Sequence, residues 1–166
     1  MYKHQVNLKK DQNILLLFSN EYIEFFCREA TSSSSEKNFV LITSNPNKGC
    51  MAMVGRKQTF GQQSLNLAQE CFSPSTIMHE LFHTLGVDHT QSRSDRDKHV
   101  IIHWENIRPE LQSQYCKVKS GQTSRYGVEY DAKSFMHYTA YGAAGAIDLN
   151  KPTISSKVKI SKGFEQ

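Results

Sequence analysis

His79, Glu80, His83 and His89 share one short stretch, HELFHTLGVDH, which holds three of the chain's seven histidines. His79 and His83 are four residues apart, so a helix places both imidazoles on one face, about one turn apart. Two neutral imidazoles at that spacing can coordinate one zinc ion. Glu80 then stands beside the metal rather than on it, where a carboxylate can take a proton from a zinc-activated water. The spacing HExxH therefore supplies two ligands and a base. The pattern continues as HExxHxxGxxH. Gly86 tolerates a left-handed exit from the helix, which lets the chain turn back and bring His89 to the same metal.

These residues need a helix to carry them, and the surrounding sequence punctuates one. In SPSTIMHELFHTLG, Ser73 can cap the amino end and Pro74 fits the first helical position. Ile77, Leu81 and Leu85 recur every fourth residue as a core-facing stripe. Upstream, NILLLFSNEYIEFFCREA spaces Leu15, Phe18, Tyr22, Phe25 and Phe26 as one face of a helix. TSSSSE is a polar loop, NFVLITSN reads as a buried strand, and NPNKG turns the chain. SLNLAQ alternates like a strand with one face in water. Downstream, HVIIHWENI fits a strand or a short helix, NIRPELQSQYCKV begins helical, and residues 120–146 carry little periodicity. No internal repeat or second core is visible. The layout is α+β: strands and helices in front, a central helix, and an irregular back half.

Composition agrees with one soluble globular domain. The chain has 166 residues, of which 38% are hydrophobic and 22% charged, so disorder is not indicated. The net charge of +4 is mild, and its lysine-rich tail lacks the aromatic interleaving of a nucleic-acid surface. Nucleic acid is therefore not an expected partner. No apolar run reaches membrane-spanning length. MYKHQVNLKKDQNILLLF has a basic front and a short apolar run, but no small-residue cleavage site follows, so no targeting signal is read. The four cysteines, Cys27, Cys50, Cys71 and Cys116, allow three pairings, and none forms a CxxC pair.

The histidine pattern is the metzincin signature, which also calls for a later methionine turn. SFMHY, Ser134 to Tyr138, supplies one. Together with HTQSRSDRDKHVIIHWENI, YDAKSFMHY, KGCMAMVGR, SLNLAQECF and NKPTI, these residues resemble the astacin family of zinc endopeptidases across most of 27–154. The resemblance implies a metzincin-like α+β catalytic domain over 1–166. It implies a twisted, mostly antiparallel or mixed sheet, an N-terminal subdomain of about 1–86 and a C-terminal one of about 87–166, shortened at both ends.

The resemblance also implies roles. One zinc per chain would sit on His79, His83 and His89. Glu80 would be general base and later proton donor to the leaving amine. Tyr138 would ligate zinc at rest, then swing off to hydrogen-bond the oxyanion. Met136 would form the floor under the metal. Protein or peptide substrates would bind extended in a cleft against an edge strand, with SLNLAQ the candidate. Cys50 and Cys71 fit a family disulfide, and the protein would be secreted. Cys27 is left free or paired with Cys116. The family's usual glutamate after the third histidine is here Thr90, which cannot form that residue's charge pair with a buried amino terminus. The competing reading is a metal-binding but inactive module that recognises extended peptides.

Overall fold

A computed structural model describes residues 14–17, 26–29, 38–56, 61–119, 121, 123–142 and 145–157. The chain forms two compact units, Met1–Val87 and Asp88–Gln166.

Among the described residues, the first unit is built on a five-stranded mixed sheet and one helix. Its strands are β1 (Ile14–Leu17), β2 (Phe26–Glu29), β3 (Asn38–Thr43), β4 (Cys50–Ala52) and β5 (Gly61–Leu67), in the order β2-β1-β3-β5-β4. β1 runs antiparallel to both β2 and β3, β3 is parallel to β5, and β4 is antiparallel to β5. The helical reading of the first segment is therefore corrected: 14–17 and 26–29 are strands. A short apolar run such as ILLL suits either period, and pairing on both sides of β1 decides it. Phe18, Tyr22 and Phe25 lie outside the described residues.

A second correction concerns the sheet edge. SLNLAQ belongs largely to β5, which is paired on both sides, and the strand paired on one side only at that end is β4. Nor does β5 keep one face in water, since Leu65, Asn66 and Leu67 are all buried. Asn66 can be buried because every polar atom of its amide is used. Its Oδ1 accepts from Thr43 Oγ1 and from the Asn45 N–H, and its Nδ2 donates to the carbonyls of Asn45 and Gly49. That amide organises the NPNKG turn, a 3₁₀ turn over Pro46–Lys48.

The helix α1 (Pro74–Thr84) starts and stops where its punctuation predicts. The Ser73 hydroxyl accepts the Thr76 N–H at 3.1 Å, and Pro74 opens the first turn. Gly86 leaves the helix at φ +93°. Ile77 and Leu81 pack against a core of Val40, Leu65, Leu67, Ala68 and Cys71. Cys50 and Cys71 form a disulfide that ties the start of β4 to the residues ahead of α1.

The second unit is mostly 3₁₀ turns and loops around a two-stranded antiparallel sheet, β6 (Val100–Ile102) with β7 (Ile154–Ser156). HVIIHWENI is both of its alternatives, since β6 is followed by a 3₁₀ turn over Trp104–Asn106. The helical start in NIRPELQSQYCKV is a 3₁₀ helix, Pro109–Tyr115. Val100, Ile107, Tyr115 and Ile154 form its core, with Ile102, Tyr130 and Tyr138 against it. Cys116 is a free, exposed thiol, and the side chain of Cys27 lies outside the described residues. Among the described residues no helix is long and apolar enough to cross a membrane.

Candidate metal centre

The helix period brings His79 and His83 together, with ring centroids 4.6 Å apart and ring planes at 89°. The His83 Nδ1–H donates to the Val87 carbonyl at 2.8 Å. This contact orients the ring and points Nε2 toward another role. The exit after the helix needs glycine. Gly86 donates to the His83 carbonyl at 2.9 Å, and the Gly55 N–H donates to the same oxygen at 2.8 Å. A Cβ on Gly55 would stand 3.4 Å from the Gly86 Cα, so two bare backbones approach closely there. Three residues on, His89 closes the group. Ligand nitrogens of His79, His83 and His89 all lie within 4.8 Å of one another.

The donor set fits zinc: three imidazoles, with no competing carboxylate or thiolate in the group. Glu80 fits the adjoining role. It is 5% exposed, and its Oε2 has no hydrogen-bond partner among the described residues. Burial pushes its carboxyl up to about 7.

The methionine turn is fastened to the residues directly after His89. The Thr90 N–H donates to the Met136 carbonyl at 2.9 Å, and the Tyr138 N–H donates to Gln91 Oε1 at 3.1 Å. Met136 is buried. The Tyr138 ring lies 4.6 Å from the His89 ring and 5.3 Å from Tyr115, and its hydroxyl donates to Gln114 Oε1 at 3.2 Å. His137 is not in the histidine group. It packs inward, and burial lowers its pKa. Its Nε2 lies 2.7 Å from the Tyr130 hydroxyl and its Nδ1 lies 2.6 Å from the Tyr138 carbonyl. Tyr130 stacks on His99, and burial pushes its phenol up.

Two charge clusters lie in the same unit. Arg93 and Arg125 both bind Asp95, and Arg93 also donates to the carbonyls of Val128 and Glu129. Buried Arg96 donates to the carbonyls of Gln91 and Tyr115 and pairs with Asp97, which Lys117 also holds. The run from Arg93 to Asp97 fastens loops of this unit through these bonds. Tyr126 is 89% exposed at φ +47°. Sequence reasoning passes over Gln91 and Gln114, because nothing in their spacing distinguishes a buried or site-facing glutamine from a surface one.

Comparison with known proteins places these features among related chains. The family model Astacin, which describes a peptidase family, matches residues 1–163. Zinc metalloproteinase nas-15 of Caenorhabditis elegans is 38% identical over 128 residues, covering 76% of this chain and 22% of the relative. Zinc metalloproteinase nas-6 of the same organism is 43% identical over 99 residues, covering 58% of this chain and 28% of the relative. The chain therefore spans about a quarter of the length of these relatives. Among solved structures, High choriolytic enzyme 1, a hatching enzyme zinc-protease from Oryzias latipes, superposes with a TM-score of 0.67 at 35% identity. The match covers 76% of this chain and 60% of that one.

Proposed function

We infer that this chain, which belongs to the astacin family of peptidases, is a zinc-dependent endopeptidase that hydrolyses internal peptide bonds of proteins. The observation that carries the reading is the histidine triad set next to a buried carboxylate with an unpartnered oxygen. His79, His83 and His89 would hold one zinc per chain. The chemistry a bound zinc supplies is Lewis acidity, which polarises the scissile carbonyl and brings the pKa of water toward neutrality.

Glu80 accepts the proton of the attacking water and returns it to the leaving amine. A carboxyl lifted toward neutrality by burial suits both halves of that task. The Tyr138 hydroxyl hydrogen-bonds the developing oxyanion, and its ring against His89 supports this placement. Met136 serves as a rigid floor, supported by its burial and its bond to Thr90. Substrate lies extended along β4, the strand at this edge of the sheet among the described residues. The Cys50–Cys71 disulfide supports an oxidising, extracellular setting.

The test is cleavage of a denatured protein such as casein. Cleavage that a chelator abolishes and added zinc restores is the expected result. Metal-dependent binding of the same protein without cleavage would instead support the peptide-recognition module.

A further inference from the structure

Tyr138 is held by its main chain as well as by its ring. Its N–H donates to Gln91 Oε1 at 3.1 Å and its carbonyl lies 2.6 Å from His137 Nδ1. Both anchors are interior side chains, Gln91 at 0% and His137 at 8% exposure. A carbonyl only accepts, so Nδ1 of His137 carries the proton in either charge state of the ring. The Tyr130 hydroxyl at Nε2 fixes the far side of the ring, and His99 stacks on Tyr130 with planes 3° apart. The anchors are therefore themselves anchored. Gln91 lies two residues after His89, so the same short segment carries a metal-binding histidine and one of the Tyr138 anchors.

We propose that Gln91 and His137 are positioning residues for Tyr138, pinning both of its main-chain polar groups so that its phenol moves only by side-chain rotation about a fixed Cα. The proposal rests on the reading that Tyr138 acts in the reaction. A fixed pivot limits where the hydroxyl can travel, and misplacing a reacting group by about 1 Å can cost on the order of a hundredfold in rate. Buried as they are, both anchors act through Tyr138.

The test uses four variants of the full chain. Gln91→Met keeps length but loses the acceptor, His137→Phe loses the donor, and His137→Asn offers a side-chain N–H near the place of Nδ1. Tyr138→Phe tests the underlying reading. The readouts are kcat and KM on a peptide substrate, and the hydrogen-exchange rate of the Tyr138 amide in metal-free protein. Gln91→Met is expected to raise that exchange rate about tenfold or more and to lower kcat about tenfold, with KM within about twofold. His137→Phe is expected to lower kcat similarly, and His137→Asn to recover most of it. If Gln91→Met does not fold, the two His137 variants decide alone. Loss of kcat in Tyr138→Phe with wild-type kcat in Gln91→Met and His137→Phe overturns the proposal alone. Unchanged kcat in Tyr138→Phe overturns the reading of Tyr138, and the proposal with it.

Discussion

The main-chain N–H of Thr90 donates to the carbonyl of Met136 at 2.9 Å, so the residue after the third histidine is tied to the methionine turn. The bond uses the backbone and not the threonine side chain. Thr90 opens a 3₁₀ turn, a position where proline's fixed φ is tolerated, and His89 ahead of it is extended at φ −59°, ψ 136°. Thr90→Pro therefore isolates the hydrogen bond. It should cost about 1–3 kcal/mol in urea unfolding, whereas Thr90→Ala should cost less than about 1. Equal costs for the two would show that the bond to Met136 contributes nothing.

Gly86 turns the chain from the helix toward His89 at φ +93°. An alanine there meets no severe clash, its Cβ standing 3.6 Å from the Gly55 Cα, but the backbone angle is unfavourable for any L side chain. Gly86→Ala should lower stability by about 1–2 kcal/mol. It should also weaken zinc binding in a competition titration against a chelator, because the turn that delivers His89 is strained. Unchanged zinc affinity would separate the turn from the metal centre.

Arg96 is buried and serves two main-chain carbonyls, those of Gln91 and Tyr115, while its Nε pairs with Asp97 at 2.9 Å. Arg96→Met leaves these acceptors without their donor inside the second unit. Two buried acceptors left unsatisfied are expected to cost about 2–5 kcal/mol in urea unfolding. Arg96→Lys should recover little of it, since one ammonium cannot reproduce the guanidinium fork. Full recovery by lysine would show that only the charge matters.

Asp95 lies between Arg93 and Arg125, and hydrogen bonds from Arg93 above all hold its carboxyl far below the usual range. Its folded pKa lies below its unfolded value near 3.9, so its contribution is complete above about pH 5 and fades as pH falls further. Exposure of the Arg125 partner keeps the gain to about 1 kcal/mol. The stability gap between wild type and Asp95→Asn should stay level from about pH 8 to 5 and narrow below about pH 5. A gap that widens on acidification would contradict the assigned pairing.

Local signals are readable from the sequence where one chemical rule acts alone. Ser73, Pro74 and Gly86 mark the ends of α1, and the four-residue spacing of His79 and His83 survives folding unchanged. NPNKG turns as its proline and glycine demand. Misreadings arise where tertiary pairing decides. Residues 14–17 are apolar enough for helix or strand, and only β2 and β3 on either side make them a strand. Position within the sheet, which puts β4 and not β5 at the edge, depends on a parallel β3–β5 pairing that alternation cannot reveal. Gln91 is invisible for a related reason: its value lies in a bond to Tyr138, forty-seven residues away.

In the proposed reaction Glu80 performs the proton transfers beside a zinc that His79, His83 and His89 would hold. Zinc content and peptide cleavage measured together on Glu80→Gln test it most directly. The amide keeps the shape of the carboxyl but cannot accept the proton. About one zinc per chain is expected, as in the wild type, with cleavage reduced by at least about a hundredfold. A zinc-loaded Glu80→Gln that cleaves at the wild-type rate would contradict it.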